Sequence, residues 1–252
     1  MSDNQNALAD RCEGASGLRV LSLFAGIGGF DLGLEAAGGF ETVAFCEADE
    51  GCRRVLAKNW PGVPIYDDVR DLSGQHLTAD GIGVDVICGG FPCQNISLAG
   101  RMEGIEGAKS SLWQHYRRLI EQTRPRYVII ENSPVLRSRG LVTILGELAT
   151  LGYDAEWHCL PANAFGAPHR RDRLWIMAYP IGERDGLPPL QISTGWDQSF
   201  HCAWWNTEPA VGRVVDGVSA EPHRLAQLGN AVVPMIAREI GAALLRGERI
   251  AA

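Results

Sequence analysis

One thiol in this chain is set up differently from the other six. The stretch Val84-Asp-Val-Ile-Cys-Gly-Gly-Phe-Pro-Cys-Gln-Asn-Ile-Ser97 reads as a buried strand over Val84–Cys88 that breaks at Gly89-Gly90 and carries Cys93 on the loop beyond. Apolar β-branched residues suit a strand covered on both faces, and paired glycines let the backbone turn sharply at its end. Pro92 fixes φ immediately before the thiol, so Cys93 is held in place. A cysteine at the carboxyl end of a parallel strand sits where open α/β sheets bind their ligands. There it would act as a nucleophile, through its thiolate. The stretch alone leaves a second reading open, in which Cys93 is one more small apolar filler.

Carboxylates recur at strand ends of the same kind. Leu18–Phe24 reads as the first buried strand and runs into the loop Ala25-Gly-Ile-Gly-Gly-Phe30, followed by a helix over Asp31–Ala37 that stops at Gly38-Gly39. Strand, glycine loop and helix together bring a ligand close to backbone N–H groups at a helix N-terminus. A second strand, Thr42–Cys46, ends in Glu47, 21 residues beyond Gly26. An acidic side chain at about that separation commonly accepts hydrogen bonds from ribose hydroxyls. The combination points to a nucleoside-containing cofactor; the glycine loop by itself would fit tight packing equally well. Asp67-Asp68 close a third strand over Val63–Tyr66 and suit either an adenine amino group or a turn.

The elements that must position these groups follow from the pattern. Leu112–Thr123 is an amphipathic helix with Arg117 and Arg118 on its polar side, Arg126–Ile130 a further strand with Glu131-Asn132-Ser133-Pro134 after it, and Ser138–Leu151 a helix ended by Gly152. Tyr153–Leu160 and Arg173–Ala178 read as two late strands and Met235–Leu245 as a C-terminal helix. Repeated βα units imply an α/β fold, a doubly wound and mostly parallel sheet with a late antiparallel hairpin. Asn95–Ser111 holds three glycines and reads as a long loop of the kind that gates or binds. The division expected is a flexible tail over 1–17, a cofactor-binding domain over 18–179, a small irregular region over 180–222 rich in Pro and Trp, and a final block over 223–252 that returns to the first domain.

Composition excludes several classes. With 46% hydrophobic and 21% charged residues the chain is ordinary for a globular protein, and no apolar run approaches a membrane span. Met1–Gly17 lacks the apolar core of a signal peptide, so a cytoplasmic protein is expected. Seven cysteines, odd in number and mostly inside regular elements, fit reduced thiols rather than disulfides, and without a Cys-x-x-Cys pair no metal site is expected. A net charge of −7 gives no general attraction to nucleic acid, so any such contact must come from local basic clusters.

The ordered blocks resemble those of the DNA (cytosine-5)-methyltransferases. They are Phe24–Gly29, Pro92-Cys93-Gln94, Glu131-Asn132, Arg171-Asp172-Arg173 and Gly229–Val232, with surrounding wording similar to phage or prophage members. The resemblance implies an S-adenosyl-L-methionine fold. Phe24, Ala25, Gly26, Ile27, Gly28 and Gly29 would line the cofactor, Phe24 stacking on the adenine, and Glu47 would hold the ribose. Asp68 and Val69 would meet the adenine edge, while Pro92, Asn230 and Val232 close the same site. It also implies that Cys93 attacks cytosine C6 on a base flipped out of double-stranded DNA, that Glu131 protonates N3, that Arg173 holds O2, and that Arg171 supports the pocket.

Two departures stand out. Glu-Asn-Val of the family is Glu131-Asn132-Ser133-Pro134 here, and His169 stands two positions before the arginine block, where the family often has Gln. The stretch of about 40 residues between that block and the last is also short for a target recognition domain, which implies short or relaxed specificity or a partner protein acting on a monomer. RNA cytosine methylation and a non-catalytic DNA-binding regulator are the alternative readings.

Overall fold

The structure, a computed structural model, describes residues 17–92, 112–167, 169–184, 188–193 and 231–251. Cys93, Asn230, the loop expected over Asn95–Ser111, the tail and most of the 180–222 region therefore lie outside the described residues.

A mixed sheet of seven strands organises the described residues, in the order β3-β2-β1-β4-β5-β7-β6. The strands are β1 Leu18–Leu23, β2 Phe40–Cys46, β3 Ile65–Tyr66, β4 Val86–Gly89, β5 Tyr127–Asn132, β6 Tyr153–Pro161 and β7 Asp172–Pro180. The first five run parallel; β7 is antiparallel to β5, and β6 to β7, as the late hairpin requires. Alternation along the central strands sends side chains to two faces, because successive Cβ atoms point opposite ways. Leu21, Leu23, Ile87, Val128 and Ile130 pack with Trp113, Tyr116 and Leu119 of α4 (Leu112–Thr123) and Ile144 and Leu148 of α6 (Leu141–Thr150). Val20, Cys88 and Ile129 pack on the other side with Phe30 and Leu34 of α1 (Gly29–Ala37) and Ile236, Ile240 and Leu244 of α7 (Pro234–Ala251). Both faces are covered, as the unbroken apolar runs demand.

Four elements differ from the sequence reading. Strand β5 continues through Asn132, because Glu131 and Asn132 pair with Trp175 and Leu174 of β7 rather than turning away after Ile130. The helix expected over Ser138–Leu151 is broken at Gly140 into α5 (Leu136–Arg139) and α6. Helix α3 (Gly74–Ala79) was not anticipated, although Ser73 supplies its cap by accepting from the His76 N–H at 3.3 Å. Helix α7 runs well past Leu245. Helix α2 (Glu50–Asn59) opens on Asp49, whose side chain accepts from the Cys52 N–H at 2.7 Å.

Under α1 lies a buried carboxylate that no sequence pattern marked. Asp31 is fully buried and accepts from Ser22 Oγ at 2.9 Å and Thr42 Oγ1 at 3.2 Å. Burial pushes its pKa from the ordinary 3.8 up to about 7, against those hydrogen bonds. The folded state thus keeps a proton that the unfolded chain has lost, so this group's contribution to stability falls as pH rises from about 4 to about 7. Asp31→Asn, which removes the charge and keeps the shape, is expected to stabilise the fold at pH 8 by on the order of 1–3 kcal/mol and to change little at pH 4. Denaturant melts of both proteins at the two pH values measure this.

Candidate active site

The carboxyl ends of β1 and β2 are joined by a direct hydrogen bond. Phe24 leaves β1 at φ 52°, a strained value for a bulky residue, and its half-buried ring lies 6.4 Å from that of Tyr116. Gly26 N–H donates to Glu47 Oε2 at 2.7 Å, and Asp49 N–H donates to the other oxygen at 2.8 Å. Glu47 thereby fixes the loop from the neighbouring strand and still has lone pairs to offer. The three glycines of the loop serve different ends. Gly26 has positive φ and open space where a Cβ would stand, so the loop presents bare backbone there. At Gly28 a Cβ would meet the Trp60 ring at 2.5 Å, and at Gly29 it would meet the Val232 carbonyl oxygen at 2.4 Å. Those two answer to packing. Ala25, Ile27 and Val232 are half-buried around the same loop.

Beyond β3, Asp68 carries the second carboxylate. Its Oδ1 accepts from the Arg70 N–H at 2.8 Å and both oxygens accept from Arg70 Nε at 2.9 Å. The Arg70 guanidinium holds its pKa down, to about 2. Val69 beside it is buried and part of the core.

The other half of the site gathers at the ends of β4, β5 and β7. Glu131 sits inside β5 with its side chain largely buried, and its Oε1 accepts from Arg173 Nε of β7 at 2.8 Å. Arg173 Nη1 donates to the Asp172 carbonyl at 2.9 Å. Burial raises the Glu131 pKa, while Arg173 and then Arg171 pull against it. Burial also lowers the Arg171 pKa, helped by the like charge of Arg173. His169 and Arg170 are exposed, the latter paired with Asp172 at 3.2 Å. A Cβ on Gly90 would stand 2.7 Å from Glu131 Oε2, so the second glycine after β4 gives this carboxyl its room. Asn132 Nδ2 donates to the Phe91 carbonyl at 3.0 Å. That bond anchors the chain at Phe91, two residues before Cys93 in the sequence. Pro92 between them is exposed.

The sequence reading gave Gly90 only a place in the turn after β4 and gave Asn132 no role of its own. The Glu-Asn pairing marked Asn132 as a neighbour of interest, but its tie to residue 91 depends on β4 and β5 lying side by side. Gly90→Ala is expected to press on the Glu131 carboxyl and lower turnover roughly tenfold or more, with a small change in melting temperature; steady-state kinetics beside a thermal melt separate the two.

The family model for C-5 cytosine-specific DNA methylases matches residues 18–192. The chain belongs to that family. Among curated relatives, the chain is 38% identical over 169 residues to the Type II methyltransferase M2.BsuMI of Bacillus subtilis, covering 64% of this chain and 42% of the relative. It is 32% identical over 219 residues to the Type II methyltransferase M.CviJI of Paramecium bursaria Chlorella virus IL3A, covering 86% and 56%. The chain thus spans about half the length of the curated relatives it matches. In fold it is similar to a candidate DNA modification methyltransferase encoded within a prophage of E. coli, with TM-score 0.65, 19% identity, and 92% and 100% of the two chains covered. It is also similar to the Dnmt2 methyltransferase of S. pombe, with TM-score 0.55, 16% identity and 93% and 97% coverage. Among the described residues no His, Cys, Asp and Glu cluster could hold a metal ion, and no helix is long and apolar enough to cross a membrane.

Proposed function

We propose that this protein methylates C5 of cytosine in double-stranded DNA, using S-adenosyl-L-methionine. The observation that carries the reading is the pairing of buried Glu131 with half-buried Arg173, beside the anchored chain that leads to Cys93. The first half of the site fits the cofactor: open space over the bare backbone of Gly26, a loop tied to a ribose-type carboxylate at Glu47, and an ionised Asp68 one strand further on. Phe24, Ile27, Val69, Pro92, Asn230 and Val232 would complete its walls. When bound, S-adenosyl-L-methionine supplies an electrophilic methyl group.

Cytosine C5 is a weak nucleophile until C6 is attacked. The Cys93 thiolate adds to C6, and the ring electrons move toward C5 and N3. Glu131, whose burial favours its protonated form, donates a proton to N3 as charge develops there. Arg173 has Nε on Glu131 and Nη1 on a backbone carbonyl, so Nη2 is the donor left for cytosine O2 among the described residues. Arg171 adds positive charge to the same pocket. Loss of the C5 proton to a base then lets the Cys93 thiolate leave. C5 and C6 are stacked inside a duplex, so the target base must be flipped out.

We also infer short or relaxed sequence specificity, supplied by residues 180–222 alone or with a partner protein. The prophage-encoded neighbour, matched over its whole length, supports a fold of this size. The test is expression in a methylation-deficient bacterium followed by bisulfite sequencing of its DNA. Methylcytosine in one or a few short contexts is expected. Its absence everywhere, from a folded protein that binds the cofactor, would overturn the proposal, and strict recognition of a six-base site by the purified protein would overturn the specificity reading.

A further inference from the structure

Helix α4 begins immediately after the 93–111 segment, and its Arg118 does not behave as the solvent-facing residue its sequence position suggests. Arg117 pairs along the helix with Glu121 at 3.5 Å. Arg118 instead turns onto the turn that follows Asp68. Its Nη2 donates to the carbonyls of Val69 at 2.9 Å, Arg70 at 3.2 Å and Leu72 at 2.7 Å. Its Nε is buried and has no partner among the described residues. One guanidinium thus satisfies three carbonyls of a single turn, a geometry that a lysine's point charge reproduces poorly. One turn further along α4, Gln122 accepts from the Gly74 N–H at 2.9 Å. Within the turn, the Asp71 and Leu72 N–H groups donate back to the Asp68 carbonyl at 3.2 and 3.1 Å. The backbone of Asp68 is therefore set by its own turn, and the turn is set by α4.

We propose that Arg118 is a positioning residue for adenine recognition: it fixes the turn from which Asp68 presents its carboxylate to the adenine amino group. This rests on the cofactor reading given above. Arg70 grips the Asp68 side chain from the solvent side, while Arg118 holds the backbone from within. A residue that served only the stability of α4 would affect every ligand of the site alike. A residue that aims Asp68 affects only ligands carrying the amino group Asp68 meets.

The experiment compares binding of S-adenosyl-L-homocysteine with its inosine counterpart, S-inosyl-L-homocysteine, by titration calorimetry on the full chain. The two ligands differ at the amino donor, which becomes a carbonyl, and at the adjacent ring nitrogen N1, which gains a proton and turns from acceptor to donor. The unmodified protein is expected to prefer the adenosyl ligand by at least about tenfold, as a hydrogen bond to a charged group implies. In Arg118→Gln, and less fully in the fold-conserving Arg118→Lys, that preference should fall toward unity through loss of adenosyl affinity, with inosyl affinity changed less than about twofold. A preference that stays intact in the Arg118 variants while collapsing in Asp68→Ala overturns the inference and leaves the cofactor reading standing. Equal loss of both ligands also overturns it. A preference preserved in Asp68→Ala overturns the assignment of Asp68, and the inference with it.

Discussion

Cys93→Ala is expected to leave methyl transfer to DNA at least about 10⁴-fold below the unmodified protein, because the covalent route to an activated C5 is gone and no other group on the site replaces a thiolate. The four cysteines among the described residues cannot substitute. Burial raises Cys46 and Cys52 to about 12 and pushes Cys88 well above the ordinary thiol value, and Cys159 lies on β6 at the far edge of the sheet. Transfer of labelled methyl to duplex DNA measures the loss. Cofactor binding and the melting temperature should stay close to those of the unmodified chain. Transfer that survives in the alanine variant would sink the proposed mechanism while leaving the family assignment in place.

The second large effect is expected at Glu131. Glu131→Gln keeps the shape and a hydrogen-bond donor but cannot deliver a proton, and should lower turnover by roughly 10²–10⁴-fold. The pH profile carries the more specific signature. Because burial raises the folded pKa of Glu131, its proton is retained above the usual glutamate range and lost as pH climbs through the raised value. Rising pH meanwhile favours the Cys93 thiolate. The unmodified protein should therefore show a falling alkaline limb that the glutamine variant lacks. Arg173→Met removes the charge that holds the Glu131 pKa down, and should move that limb to higher pH even as overall turnover falls.

How much of this was legible in the sequence depends on whether a feature is written along the chain or across it. The strand, glycine loop and acidic residue of the first half are local, and Glu47 was identifiable from its separation from Gly26 alone. The hydrogen bond it makes is to that same glycine's N–H. The pairing of Glu131 with Arg173 could not be read from periodicity, because it depends on β7 inserting between β5 and β6 in antiparallel sense. The motif placed both residues at one site without showing that they touch. Gly90 looked like a turn residue and proves to be clearance for a carboxyl on the next strand. The partners of Arg118 stayed hidden for a related reason. Its helix has an apolar stripe and a polar stripe, and amphipathic patterning cannot say whether a charged residue on the polar stripe meets water or another turn's carbonyls.

The contact between α1 and α7 has a consequence for how the protein is made. These helices belong to the first and last parts of the described chain, yet they approach so closely that a Cβ on Gly33 would stand 2.2 Å from the Pro234 carbonyl oxygen. Phe30 and Leu34 have their apolar cover in Ile236, Ile240 and Leu244. A ribosome adding roughly 5–20 residues per second leaves that face of α1 bare for on the order of 10–40 s before its partner emerges. During synthesis the sheet can assemble with one flank already sealed by α4 and α6 while the other stays open to water and to neighbouring nascent chains. The last helix is then the element that ends the period of greatest aggregation risk, and the glycines of α1 set how tightly it can shut.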